Sequence, residues 1–259
     1  MRKVEQLSRR TFLMSAGKGI FALITEMQFG LATRGVAIAL GGSSLVTACT
    51  QAEPEQVAVA PEQVGSAYLR VATEFVNSYV LVRGQEIAIV DTGLPQNVDK
   101  FTEAIESVSL GWDAVQHIIL THLHGDHVGG LGEIAVAAEM ANIYAGEADV
   151  AGINSPRKIT PVNDGQEVFG LQIIGTPGHT PGHISIYDPA NSLFVVGDAF
   201  VNTNGLAGPS PRFSEDMDMA NASVTKVGEL DFETALFGHG EPIESGASAA
   251  IAELATTLQ

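Results

Sequence analysis

Thr121-His122-Leu123-His124-Gly125-Asp126-His127 stands directly after the apolar run 115–120 and before Val128-Gly129-Gly130. Residues at i and i+2 of an extended chain point to the same side, so His122 and His124 project together from the end of the preceding strand. Gly125 permits a sharp change of direction, after which Asp126 and His127 can face back across the turn. Gly129 and Gly130 keep side chains out of a crowded place. Clustered neutral imidazoles beside a carboxylate form a nitrogen and oxygen donor set suited to zinc, or to iron or manganese. A solitary His-x-His pair carries little weight. Four donors within six residues, after a strand and among glycines, point to a metal site rather than to polar residues closing a loop.

Outward from this stretch the chain alternates strand and helix patterns. Residues 68–82 and 87–90 read as short paired strands with a turn at Arg83-Gly84-Gln85. Val98, Phe101, Ile105 and Val108 recur at steps of three and four, which predicts a one-faced helix over 97–108 capped by Asn97. A strand over 115–120, a helix over 131–140 and a strand over 142–144 follow. Residues 167–174, 183–187 and 193–196 read as strands separated by Gly, Pro and Asp-Pro-Ala-Asn turns. A helix over 216–230, a strand over 234–237 and an Ala/Leu-rich helix over 247–258 close the chain. Two runs of strands, each with helices, predict an α/β (α+β) fold of packed layers with helices outside, in one domain over 66–259.

The string 121–127 resembles the signature of the metallo-β-lactamase-fold metallo-hydrolase superfamily, and four further pieces fit in order. They are Asp91 in Ile89-Val90-Asp91-Thr92-Gly93, His179 in Gly175-Thr176-Pro177-Gly178-His179-Thr180, Asp198 in Val195-Val196-Gly197-Asp198, and His239 in Phe237-Gly238-His239-Gly240. The resemblance implies a four-layer αβ/βα sandwich with a dinuclear site at one edge of its two sheets. It assigns His122, His124 and His179 to one metal ion, Asp126, His127 and His239 to the second, and Asp198 as the bridge. The two divalent ions, most readily zinc, with iron or manganese as alternatives, would share a hydroxide that attacks an acyl carbon. Asp126 is a candidate for orienting that nucleophile. Asp91 is expected to act from behind, fixing the backbone or a ligand histidine. His183 and His117 are expected to be structural. Arg212, in the 201–213 loop after Asp198, is a candidate for binding a carboxylate or an anion, with Leu206 and Phe213 as apolar contacts; Tyr68, Tyr79 and Trp112 are further candidates to line the pocket.

Composition narrows the partners. The chain has 259 residues, 13 basic and 30 acidic, and a formal net charge of -17. Residues 49–259 hold 7 basic and 28 acidic side chains, so a nucleic-acid partner is excluded on charge. The one cysteine excludes a disulfide scaffold and any cysteine-clustered metal site. Nothing basic follows Lys226, so the basic cluster that binds glutathione in hydroxyacylglutathione hydrolases has no counterpart. The expectation is a hydrolase acting on a small ester, lactone, thioester or amide. The alternatives are a β-lactam-hydrolysing enzyme and a hydrolytically idle metal-dependent small-molecule binder.

Residues 1–49 read as an address. Six basic and two acidic residues lie in the first 48, around two apolar stretches too short for a complete span. Ser8-Arg9-Arg10-Thr11-Phe12-Leu13-Met14 resembles a twin-arginine export signal. Leu45-Val46-Thr47-Ala48-Cys49 resembles a lipobox, which would attach a lipid to Cys49 and leave residues 50–65 as a tether. The expected location is outside the cytoplasmic membrane of a prokaryote, at the periplasm or cell surface, held to the membrane through that lipid.

Overall fold

Apolar runs such as Ile87-Ala88-Ile89-Val90 carry no polar alternation, which is what a strand covered on both faces requires. In the computed structural model, which describes residues 67–258, such runs build two sheets. The export signal, the lipobox and the 50–65 tether lie outside the described residues. The first sheet has six strands in sequence order: β1 (Tyr68–Thr73), β2 (Val76–Arg83), β3 (Glu86–Val90), β4 (Val115–Leu120), β5 (Asn142–Gly146) and β6 (Ile159–Val162). β1 to β3 form an antiparallel meander, and β3 to β6 are parallel. Parallel neighbours need crossovers. They are supplied by α1 (Val98–Ser107) between β3 and β4, and by α2 (Gly125–Val128) with α3 (Leu131–Ala137) between β4 and β5.

The second sheet runs β11-β10-β9-β8-β7, from β7 (Glu167–Val168), β8 (Leu171–Gly175), β9 (Ile184–Asp188), β10 (Leu193–Gly197) and β11 (Thr234–Phe237). Only its β10–β11 pair is parallel, crossed over by α4 (Met217–Val227); α5 (Ala247–Thr257) closes the chain.

Alternation along the strands sorts side chains into three cores between four layers. Ile87 and Ile89 of β3 with Ile118 and Leu120 of β4 meet Phe101 and Ile105 of α1 and Leu131 and Ile134 of α3. Ala88, Val90 and Ile119 face the other way, onto Ile173, Ile184, Ile186 and Val195 of the second sheet. Phe194 and Val196 of β10, with Phe237, pack against Val224 of α4 and Ile251 of α5. The order is helix, sheet, sheet, helix, the sandwich expected from sequence.

Three local expectations are corrected. The 68–82 run contains a tight turn at Glu74-Phe75, where Glu74 adopts φ 55°, and places Asn77 and Ser78 inside β2. The 167–174 run is a hairpin broken at Phe169-Gly170, both at positive φ. Asn97 precedes α1 without capping it through its side chain, which donates instead to the carbonyls of Leu94 and Pro95. Asp216 does cap α4, accepting from the Met219 N–H at 3.0 Å.

The sheets are also joined by hydrogen bonds at the edge where β3, β4, β10 and β11 end. The Ile184 N–H donates to Thr121 O at 2.9 Å, and the Asn77 N–H to Gly238 O at 2.8 Å. Gly146, at the end of β5, sits so close to Gly182 that a Cβ there would meet the Gly182 carbonyl oxygen. Gly146→Ala is therefore expected to lower stability by about 1–3 kcal/mol through a forced backbone shift. Gly132→Ala, in α3 with open space around it, should leave stability unchanged or raise it slightly. Denaturant midpoints of the two variants check the contrast.

Candidate metal centre

Functional side chains gather at the carboxyl ends of the strands, where the backbone leaves the sheets and ligand sites of open α/β sheets commonly form. Beyond β4 the chain stays extended through His124 and then turns into α2, whose first turn holds Asp126 and His127. The Thr92 N–H donates to His127 O at 2.7 Å, which ties this turn to the end of β3. His179 comes from the β8–β9 loop, Asp198 directly follows β10, and His239 follows β11. The structure brings all seven residues together. Ligand atoms of His122, His124 and His179 lie within 4.8 Å of one another, as do those of His122, His127 and Asp198, and those of Asp126, His127 and His239.

Three imidazoles have one ring nitrogen fixed by an oxygen behind them. Asp91 is buried and adopts φ 60°. Its Oδ1 accepts the Thr121 N–H and its Oδ2 accepts the Thr121 hydroxyl, each at 2.8 Å. Because that hydroxyl proton is committed, Thr121 Oγ1 accepts from His122 Nδ1–H at 3.0 Å. His127 Nδ1–H donates to Asp91 Oδ2 at 2.8 Å, and His239 Nδ1–H to the Phe75 carbonyl at 2.8 Å. Each ring is thereby set with Nε2 unprotonated when neutral and turned toward the cluster. Asp198 stands in the middle, 3.4 Å from His127 Nε2, 3.6 Å from His179 Nε2 and 3.1 Å from His239 Nε2. Asp126 Oδ2 lies 3.4 Å from His239 Nε2.

Four buried polar atoms here have no hydrogen-bond partner: His122 Nε2, His127 Nε2, His179 Nδ1 and Asp198 Oδ1. Leaving a buried polar group unpaired costs about 1–3 kcal/mol. Concentrating such atoms in one place is the arrangement a cation satisfies, and nitrogen and carboxylate donors without sulfur fit zinc, iron or manganese.

The electrostatics point the same way. Burial holds His122 well below its ordinary pKa and takes His179 down to about 4. At His127 burial is outweighed by Asp198 and Asp91, which raise the pKa well above normal. His239 is likewise raised, to about 10, because hydrogen bonds to Asp126 and Asp198 overcome burial. Burial opposes ionisation of Asp198, but His127 and His239 hold its pKa well below the carboxylate range. Hydrogen bonding to His239 lowers Asp126. Positive charge is favoured on the imidazoles beside the carboxylates, His127 and His239.

The other candidate residues take different places. Asp91 does not reach the cavity and acts through His127 and Thr121, so it is a positioning residue. His183 faces the cluster from behind: its Nε2 accepts the Asp198 N–H at 3.0 Å and its Nδ1–H donates to Thr176 Oγ1 at 2.8 Å. Both nitrogens are used, and burial takes its pKa down to about 3. Arg212 is exposed, stands over the Phe213 ring at 5.1 Å, and is not among the residues lining the cavity. The sequence makes it a candidate for binding a carboxylate or an anion at the site, and the structure leaves it outside the lining. Leu206 packs on the α4–α5 core, and Trp112 on the α1 side. Tyr79 is buried, with its hydroxyl on Phe237 O, and the Tyr68 hydroxyl donates to Glu244. Phe213 does line the cavity.

Two residues were not legible as site residues. Asp149 is fully buried and accepts from the Leu123 N–H at 3.0 Å, the Thr180 hydroxyl at 2.6 Å and the Gly182 N–H at 2.7 Å. One carboxylate thus clamps the backbone between His122 and His124 to the residue after His179. Nothing in the local sequence announces this role. Phe75 lines the cavity and stacks on His239, with ring centroids 6.0 Å apart. The sequence carries no signal for it, because no Gly, Pro or Asn marks the turn that presents the ring.

Asp91→Asn and Asp149→Asn are each expected to weaken zinc affinity by roughly 10–100-fold. In the first, the amide can present its NH2 to His127 Nδ1 and turn that ring's lone pair away from the cluster. Chelator competition, with unfolding followed in parallel to show that the fold persists, checks both.

Comparison with known proteins matches residues 71–239 to the family model of the metallo-beta-lactamase superfamily. The chain is 31% identical over 154 residues to the uncharacterized protein YobT of Bacillus subtilis, covering 51% of this chain and 65% of that protein. It is 30% identical over 169 residues to the hydroxyacylglutathione hydrolase of Vibrio parahaemolyticus, covering 64% of this chain and 61% of that one. In each case the chain spans less than two thirds of the relative's length. The crystal structure of a metallo-beta-lactamase family protein from Thermus thermophilus superposes with a TM-score of 0.59 at 22% identity, covering 73% of this chain and 78% of that chain, a likeness of fold.

Proposed function

The chain belongs to the metallo-beta-lactamase superfamily, and from that premise we propose that it is a dinuclear metal-dependent hydrolase of a small ester, lactone, thioester or amide. Members of the superfamily are metal-dependent hydrolases, among them the hydroxyacylglutathione hydrolase relative. One observation carries the reading: three imidazoles, two of them buried and each pinned from behind by an oxygen acceptor, aim Nε2 at a common place beside Asp198.

His122, His124 and His179 would hold one cation, and Asp126, His127 and His239 the other, with Asp198 between them. Bound there, divalent ions would lower the pKa of a water into the neutral range and polarise a carbonyl oxygen. The chain's own residues do the rest. Asp91 and Thr121 fix the imidazole tautomers, the Phe75 carbonyl fixes His239, and His183 holds the Asp198 backbone. Asp126, half-buried at the cavity floor, is placed to accept a hydrogen bond from the attacking nucleophile and orient it. The low dielectric of the site strengthens each of these interactions.

A panel of chromogenic esters, lactones, thioesters and β-lactams, assayed with added zinc or manganese, tests the reading. Turnover lost in His124→Ala and in metal-stripped protein is expected; metal content by mass spectrometry should approach two ions per chain. No turnover anywhere in the panel, with small-molecule binding retained, would favour an idle receptor. We also propose export and lipid attachment from the sequence of residues 1–49. Replacing Arg9 and Arg10 with Lys should stop delivery outside the cytoplasm, and Cys49→Ser should release the protein from the membrane fraction; unchanged fractionation would refute either step.

A further inference from the structure

The cavity over the ligand cluster has a volume of about 690 Å³, within the range of small-molecule sites. Its floor is His124, Asp126, His179, Asp198 and His239. Above the floor the lining comes from Phe75, Gly125, Val201, Thr203, Ser210 and Phe213, without a single Lys or Arg. Phe75 and Phe213 reach it from different halves of the fold, the β1–β2 turn and the loop after β10, and are 60% and 58% exposed. Large apolar side chains left open beside a concave site mark a surface that takes apolar material.

Three basic residues outside the lining are paired with carboxylates. Arg70 pairs with Glu241, Arg83 with Asp188, and Lys226 with Asp164. Arg212 lies outside the lining, on the Phe213 ring. Asp126 and Asp198 are engaged by His239, and the body outside the ligand cluster, with 28 acidic against 7 basic side chains over residues 49–259, repels an anion. Hydroxyls of Thr203 and Ser210 can serve a neutral polar group, but neither can neutralise a carboxylate.

We infer that the cavity selects uncharged acyl substrates, esters or lactones, whose apolar acyl portion lies between Phe75 and Phe213. This rests on the hydrolase reading for the reaction and on the lining for the selectivity. Substrates that carry an ionised carboxylate, next to the reacting bond as in β-lactams or further along the molecule as in glutathione thioesters, are disfavoured because no Lys or Arg of the lining meets that charge and His239 is already paired with Asp126 and Asp198.

Binding and turnover separate the two claims. Octanamide and octanedioic acid monoamide have similar length and differ in one carboxylate. Calorimetric titration of the purified protein is run zinc-loaded and again after EDTA, so that a carboxylate reaching a cation is distinguished from one reaching the protein. In the EDTA-treated protein octanamide should bind about tenfold or more tightly than the monoacid. Phe75→Ala and Phe213→Ala should each weaken octanamide about tenfold, roughly the loss expected from removing one aromatic contact surface. Both side chains are largely exposed, so these variants should fold, which thermal unfolding verifies. Arg212→Gln should change octanamide affinity by less than about twofold. Monoacid binding equal to or tighter than octanamide without metal, absence of octanamide binding, or insensitivity to both Phe variants would overturn the inference. Octanamide binding that depends on both rings, with no octanoyl ester hydrolysed by the zinc-loaded protein, would uphold the cavity assignment and sink the hydrolase reading.

Discussion

Everything at the functional edge depends on one constraint: lone pairs that serve no hydrogen bond must be held buried and convergent. In water such atoms are solvated, and in a protein interior each carries a desolvation cost. The chain meets the constraint by giving each pinned imidazole a second anchor of its own. Asp91 serves His127 directly and His122 through Thr121; the Phe75 carbonyl serves His239; the Asp198 backbone is held by His183. Ring orientation is decided by these partners and not by the ligand residues themselves.

The anchors explain why two sheets are needed. Thr121 and Asp91 belong to the ends of β4 and β3, His183 and Asp198 to the β9 and β10 region, and His239 to the end of β11. No one sheet presents all of them. The edge-to-edge bonds between Ile184 and Thr121 and between Asn77 and Gly238 hold the halves in register, and the Asp149 clamp does the same for the His122–His124 stretch and the His179 loop. Behind His183 a relay through Thr176 and Ser185 ends on the Val196 carbonyl, so even the tautomer of a residue outside the donor set is fixed. Stability and site geometry are coupled here: a strain at Gly146 is also a strain beside Gly182, two residues from Thr180.

Much of this was legible in sequence, and the failures have physical causes. The apolar end of β4, Ile118-Ile119-Leu120, stops at Thr121, and β11 is short and bounded by Glu233 and Gly238, so their limits at 115–120 and 234–237 match the structure. The strand Ile159–Val162 was missed because Pro161 argues against a central strand; the segment is the edge of the first sheet, where a missing N–H does no harm. The turn at Glu74-Phe75 carries no Gly, Pro or Asn, and φ 55° at a glutamate is outside what propensity anticipates. Site residues fixed by adjacent motifs were readable. Asp149 was not, because its role comes from three donors distant in sequence that only the tertiary fold assembles.

The cavity shows the same division between chemistry and selection. Donor residues occupy strand ends, the first turn of α2 and a β8–β9 loop tied down by Asp149, all restrained by hydrogen bonds, whereas Phe75, Thr203, Ser210 and Phe213 line the cavity from turns and loops. A site that must keep atoms within a few tenths of an ångström needs the first kind of support, and a wall that must fit a particular acyl group tolerates the second. Phe75 belongs to both, since its carbonyl anchors His239 while its ring faces the cavity. Substituting the ring leaves that carbonyl in place, so acyl selectivity can change at this position without disturbing the imidazole that the backbone holds.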